Sequence, residues 1–164
     1  MRGPTRRAPP GPPLTKPWAL LATWFGSGRL PFAPGTWGSL AALPFAAALQ
    51  WLGGPWLLVA ASVLVFLAGC WASVEYVRAT GRKDPPEIVI DEVVGQWIAL
   101  ILSPFTLQEV ALAFVLFRSF DIVKPWPIRW IERRWPGPLG VMLDDVAAGM
   151  MALAIMALVH LVPA

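Results

Sequence analysis

The sequence predicts an all-α integral membrane protein, a helical bundle of about five apolar helices with one short interfacial helix. Three observations predict it. The 164 residues are 57% hydrophobic and 14% charged, with a mean hydropathy of +0.61, whereas soluble domains carry about 25% charged residues. The apolar residues gather into five segments broken by Gly, Pro or charged stretches. All 13 Lys and Arg fall in three places: the N-terminal region up to Arg29, Arg78–Lys83 and Arg118–Arg134.

Residues 1–17 hold six prolines and four basic residues. This composition reads as a disordered basic tail suited to anionic lipid, set apart from a membrane-embedded domain over 18–164. The stretch Trp18–Phe25 is short and closed by Gly26-Ser27-Gly28, which argues against a cleaved signal peptide. The first apolar segment is Thr36–Leu52 and the second Pro55–Ser73, joined by Gly53-Gly54. Pro44 is expected to kink the first. The third is Val93–Leu102 and the fourth Leu107–Phe117, joined by Ser103–Thr106; the fifth is Val146–Val162. The first, second and fifth approach the ~20 residues that span a bilayer. The third and fourth, extended through their polar flanks, either cross a thin membrane or form a half-buried hairpin. Pro127 is placed to open a short helix, in which Ile128, Ile131 and Trp135 share a face opposite Arg129, Glu132 and Arg133. That is an amphipathic interfacial segment.

The two predicted hairpin turns carry no charge, and of the ten carboxylates only Glu109 lies away from the charged regions. Two hairpins and a last crossing put all three charged regions on one side, which the positive-inside bias makes cytoplasmic. Trp51 and Trp56 flank the far turn, while Trp18, Trp24, Trp37 and Trp71 fall near the charged side, as an interfacial belt would.

The acids on that side are the candidates for chemistry. Asp84, Glu87 and Asp91 are spaced i, i+3 and i+7. A helix beginning near Pro85 or Pro86 puts Glu87 and Asp91 on one face, with Glu92 about 100° away. Asp144 and Asp145 stand at a membrane boundary, and Asp121 lies between Arg118 and Lys124. Carboxylates suit Mg²⁺, which binds one or two of them together with waters and substrate phosphate. Equally, these acids cap helices and pair with Arg118, Lys124 and Arg129. As a cluster at a hydrocarbon boundary, they point to function. The loop before the first segment offers Gly35-Thr36 and Gly38-Ser39, whose N–H groups and hydroxyls suit a phosphate, although a connector with a Thr or Ser cap explains it as well.

Absences narrow the chemistry. The single Cys70 excludes an intramolecular disulfide or a cysteine zinc site and reads as a packing residue. The one histidine, His160, lies opposite the acids, which disfavours a histidine nucleophile, a Ser-His-Asp site or a multi-histidine metal site. No Gly-Lys-Ser/Thr follows the glycine-rich loop, so it is no nucleotide P-loop. No nucleic-acid partner is expected, and oligomeric state stays open.

Four stretches, G-S-G-x5-P-G-T-x-G-S (Gly26–Ser39), I-V-I-D-E-V-V-G-Q (Ile88–Gln96), F-R-x-F-D-x-x-K-P-W-P-I (Phe117–Ile128) and L-G-V-M-L-D-D-V-x-A-G (Leu139–Gly149), occur in this order. Together they resemble the phosphatidylglycerophosphatase A family, from about Ala22 to the C-terminus. The resemblance implies a multi-pass enzyme of the bacterial inner membrane with its site on the cytoplasmic face. It implies Mg²⁺-dependent hydrolysis of phosphatidylglycerophosphate to phosphatidylglycerol and phosphate, in phospholipid biosynthesis. On this reading Glu87, Asp91, Asp144 and Asp145 hold one or two Mg²⁺. Thr36, Ser39, Arg118, Lys124 and Arg129 bind the substrate, and Glu92 or Asp121 orients water or protonates the leaving oxygen. Attack by Asp91 or Asp121 itself is the alternative to water. Another phosphate ester is the alternative substrate. A transporter of anions is the alternative class, but it should carry charges inside its spanning segments, where only Glu109 qualifies.

Overall fold

The structure is a computed structural model and describes residues 11–161. It is all-α: α1 (Pro17–Ala22), a 3₁₀ turn (Ser27–Arg29), α2 (Pro34–Thr80), α3 (Ile90–Ala99), α4 (Leu107–Val123), α5 (Ile128–Arg134) and α6 (Pro138–Leu161). Two of these, α2 and α6, are long and apolar enough to cross a membrane. The five apolar segments fall on α2, α3, α4 and α6, with the last three residues of the third beyond the end of α3 and the last residue of the fifth outside the described residues, and the amphipathic segment is α5.

α2 is two helices joined at a break. Gly53 and Gly54 leave helical geometry, Gly54 with φ 65° and ψ −162°, a region open essentially to glycine alone. Pro44 lies inside the first arm, and the non-helical residues are Gly53 and Gly54 instead. The kink expected at Pro44 is therefore not found, whereas the turn expected at Gly53-Gly54 is, where two glycines permit a full reversal.

Contacts along α3 fix the directions of α2, α4 and α6. On the first arm of α2, Gly35 abuts Glu92, Ala42 accepts the Trp97 indole N–H at 2.9 Å and Gln50 reaches the Ser103 carbonyl at 3.4 Å. This arm runs parallel to α3. On the second arm, Ser62 and Phe66 lie beside Ile98 and Val94, while Gly69 packs on Ile90. This arm runs back. In α6, Gly149 meets Gly95 backbone to backbone, and Met142 reaches Gly69. α4 runs opposite to α6: Phe117 packs on Gly95 and Arg118 reaches Glu92, while Glu109 pairs with His160 at 3.1 Å. One end thus gathers Gly35, Asp91, Glu92, Arg118, Lys124, Asp144 and Asp145. The other holds the Gly53-Gly54 turn, Glu109 and His160.

α3 is the buried centre, with nine of its ten residues buried. A fully buried polar-ended helix must satisfy its long indole, and Trp97 does so on Ala42. Trp24 was expected in an interfacial belt but is buried. Its indole N–H donates to Ala41 and its ring meets Trp97 edge-on at 5.5 Å. By contrast Trp51 and Trp56, at the glycine turn, are 85% and 81% exposed, as interfacial residues are.

The predicted basic tail is only partly within the described residues, since 1–10 lie outside them. Residues 11–16 are folded against the body: Arg29 donates to the Pro12 carbonyl, and the Lys16 N–H bonds Pro13 at 3.1 Å. Pro17, read as the end of the tail, begins α1, whose Trp18 packs edge-on against Tyr76 at 6.0 Å.

A Cβ on Gly95 would strike the Phe117 ring and come within 2.7 Å of the Asp145 carbonyl. Gly95→Val is therefore expected to lower stability by about 1–3 kcal/mol, the cost of overpacking. Thermal unfolding of the detergent-solubilised variant measures this, and an unchanged midpoint would show that α3 and α6 do not meet here.

Candidate active site

The acid end is built from helix ends. Asp91 and Glu92 occupy the first turn of α3, where the free N–H groups favour negative charge. Glu92 N–H donates to Asp91 Oδ1 at 3.1 Å. One turn on, Gly95 lets α6 approach so closely that Asp145, one turn before Gly149, comes alongside. Asp91, Glu92 and Asp145 each offer an oxygen within 4.8 Å of the others. Asp91 and Asp145 are 5% and 3% exposed, a costly place for unpaired charge.

Cations surround the trio. Arg118, near the end of α4, donates to Asp121 at 2.5 Å and lies 3.9 Å from Glu92. Lys124 caps α4 in the left-handed conformation, φ 47°. Its ammonium bonds Asp144 at 2.6 Å and Glu132 at 2.9 Å, tying α6 and α5 to α4. Burial opposes the Lys124 charge, but the bonds to Asp144 and Glu132 outweigh it and raise its pKa. Burial, and then the charge of Asp91, push the Glu92 carboxyl well above the usual range; burial likewise raises Asp91. Among the described residues, Glu92 Oε2, Asp144 Oδ1 and Asp145 Oδ2 are buried without a hydrogen-bond partner. An all-oxygen donor set with orphaned, crowded carboxylates fits a hard cation such as Mg²⁺.

The structure brings together most, but not all, of the residues singled out from sequence. Asp91, Glu92, Asp121, Asp144, Asp145, Arg118 and Lys124 share this end. Glu87 does not join the trio. α3 begins at Ile90 rather than near Pro85, so Glu87 lies in the preceding turn and pairs with Arg82 at 2.8 Å. Glu92 takes the place expected for it. Ser39 is fully buried and its hydroxyl donates to the Gly35 carbonyl at 2.9 Å, which turns it away from any phosphate. Thr36 lies in the first turn of α2, its N–H bonded to Ala33 at 2.9 Å. The glycines of that loop serve contact: a Cβ on Gly35 would hit the Glu92 carboxylate, and one on Gly38 would lie 2.6 Å from Val89. Arg129 is exposed on α5, its guanidinium donating to the Val123 carbonyl at 3.2 Å.

Sequence reasoning missed two participants. The Gly95–Gly149 contact was visible only as the shared ending of I-D-E-V-V-G and L-D-D-V-A-A-G. Gln96 is fully buried one turn below Glu92, with neither amide atom partnered among the described residues. Its signal was a lone amide in an otherwise apolar run.

Helices packed lengthwise, two of them long and apolar enough to cross a membrane, with acids and basic groups gathered at one end, define an all-α protein of membrane type. Sequence comparison makes this specific. The family model for phosphatidylglycerophosphatase A matches residues 20–160, and the chain belongs to that family. It is 42% identical over 145 residues to phosphatidylglycerophosphatase A of Escherichia coli, covering 87% of this chain and 83% of that protein. It is 41% identical to the Haemophilus influenzae protein of the same name, covering 87% and 88%. A Bacteroides thetaiotaomicron protein with the provisional name phosphatidylinositol-3-phosphatase is 42% identical, covering 84% and 90%. No solved structure is significantly similar to the chain.

Asp144 is 1% exposed. Lys124→Met strands its charge and is expected to cost roughly 2 kcal/mol, below the figure for a wholly buried pair because Lys124 reaches solvent. Adding Asp144→Asn should restore most of the loss. Chemical or thermal denaturation of the three variants checks this, and additive losses would show that the pair is not coupled.

Proposed function

We propose that this chain hydrolyses phosphatidylglycerophosphate to phosphatidylglycerol and inorganic phosphate at a bacterial inner membrane, with Mg²⁺ held by Asp91, Glu92 and Asp145. Family membership over residues 20–160 supports the activity. The single structural observation that carries the site is the trio of mutually close carboxylate oxygens with orphaned buried atoms. When bound, Mg²⁺ supplies polarisation of the phosphoryl oxygens. Asp144, paired with Lys124, borders the trio and completes its acidic wall.

The chain's own groups account for the rest. Arg118, already ordered by Asp121, neutralises the phosphate oxygens through directed N–H bonds. A water oxygen attacks phosphorus and the bond to the glycerol oxygen breaks. The water's proton passes to a carboxylate, and the leaving oxygen takes up a proton. We assign these transfers to Asp121, bonded to Arg118, and to the Glu92 oxygen that does not face the cation. Burial of the carboxylates restricts access by bulk water and strengthens each charge interaction.

The lipid tail has a place as well. Asp91, Val94 and Ile98 follow i, i+3 and i+7 on α3. The latter two line an apolar cavity of about 310 Å³ with Phe66, Leu143 and Val146. A lipid whose phosphate meets Asp91 has hydrocarbon surroundings one turn, or about 5.4 Å, deeper. The helices then cross the membrane as a multi-pass bundle, with the acid end on the cytoplasmic face. The clustering of Arg and Lys at that end supports this orientation. The relatives' names describe lipids of one type: a phosphodiester joins the diacylglycerol to a polyol that bears a phosphomonoester.

Phosphate release from phosphatidylglycerophosphate in mixed micelles tests the reading. Wild type is expected to be active with Mg²⁺ and silent in EDTA. Asp91→Asn, Glu92→Gln and Asp145→Asn should each lose about 100-fold or more, the scale seen when a transition-state electrostatic partner is removed. Glu87→Gln should stay within a few-fold of wild type. Near-normal turnover by Asp145→Asn in saturating Mg²⁺ would refute the ligand assignment.

A further inference from the structure

A second anion-attracting feature lies beside the acid end, and the hydrolytic reaction does not use it. A cavity of about 360 Å³ opens between the end of α4 and α5, lined by Val123, Lys124, Trp126, Arg129, Trp130 and Arg133 together with Pro125. Arg129 and Arg133 are spaced i, i+4 on α5, which puts their guanidinium groups on one face, while Trp126 lies in the turn that precedes the helix. Three cations line the cavity, with no carboxylate among the lining residues. The Arg129 guanidinium donates through Nη2 to the Val123 carbonyl at 3.2 Å, which holds the charged end of the side chain at the cavity and leaves its other N–H groups to a ligand. Trp126 is 80% exposed and Trp130 53%, as suits rings at the headgroup level of a membrane. Lys124 joins the two places: it lines this cavity, yet its ammonium bonds Asp144 at 2.6 Å.

We propose that this cavity binds the phosphodiester of the lipid while the acid trio holds the terminal phosphomonoester. The inference rests on the lipid-phosphatase reading and deepens it. The substrate carries two phosphates separated by a glycerol, and only the outer one is cleaved. A site with one anion-binding centre would accept any lipid phosphomonoester. A second centre, joined to the first through Lys124, reads the inner phosphate and so selects lipids in which a polyol separates the two. Guanidinium groups suit this role because they bind a phosphodiester through paired N–H donors and stay charged throughout the physiological pH range. The indoles shield the contact from water and seat the cavity in the interface.

The product isolates the proposed contact, because phosphatidylglycerol has the diester and lacks the monoester. Its binding to wild type and to Arg129→Gln/Arg133→Gln is measured by calorimetry in uncharged detergent micelles. Oleate at equal surface charge serves as an anionic amphiphile without a phosphodiester. Loss of the arginines is expected to weaken phosphatidylglycerol by about tenfold or more, as loss of a charge-assisted bond does. Oleate should change far less, and Arg129→Lys/Arg133→Lys should restore part of the affinity. In turnover of phosphatidylglycerophosphate, KM should rise by a similar factor and kcat move much less. An equal loss for oleate would reduce the arginines to general membrane attraction and overturn the proposal. Unchanged phosphatidylglycerol binding would overturn it as well. Calorimetry needs no turnover: wild type that binds phosphatidylglycerol through these arginines but releases no phosphate would sink the phosphatase reading and leave the diester site standing.

Discussion

The close passage of α3 over α6 at Gly95 and Gly149 is the constraint on which the acid end depends. A Cβ at Gly149 would run into the Gly95 carbonyl, so the two backbones touch with no side chain between them. Such contacts let helices approach more closely than larger residues allow. Asp91 lies four residues before Gly95, and Asp145 four before Gly149. One turn above the crossing, the same closeness forces two carboxylates into a shared space. Ordinary side chains at the crossing would separate the axes and with them the acids. The small residues and the charged ones are therefore one device, the first setting the distance at which the second act.

Repulsion between those acids must be offset from outside the pair. Arg118 and Lys124 do so from the end of α4, Arg118 bonded to Asp121 and Lys124 to Asp144 and Glu132, all outside the trio. The arrangement leaves the trio's own oxygens less neutralised than its surroundings. A bundle stabilised only for its own sake would have no reason to keep Asp145 Oδ2 buried without a partner. The cation proposed above would give that oxygen a use.

Much of this was legible in the sequence. Hydrophobic segments, uncharged turns and the three charged regions predicted the helices and which ends lie together, because burial and charge are written residue by residue. The site was legible as a set of acids and bases. Its pairing was not, because that depends on where α3 begins. Pro85 and Pro86 look like a helix start, yet the chain stays irregular until Ile90. The shift moves Glu87 to Arg82 and brings Glu92 beside Asp91. Likewise Trp24 has the composition of a belt residue, and only tertiary contact with Ala41 and Trp97 shows it inside. Glycines gave the weakest signal. The same residue type marks a turn at Gly53-Gly54, a packing surface at Gly35 and a helix crossing at Gly95, and sequence does not separate these uses.

Every charged group at the site belongs to a helix end or to the turn next to it: Glu92 at the start of α3, Arg118 and Lys124 at the finish of α4, Asp145 in the second turn of α6. Helix ends are where proteins open first, through fraying that leaves the rest of the fold intact. Heating should therefore divide the molecule in time. The ends carrying the acids and cations loosen while the apolar middles, packed around Trp97 and Phe117, keep their shape. Chemistry would fade before helicity does, and cooling would restore it without refolding of the whole chain.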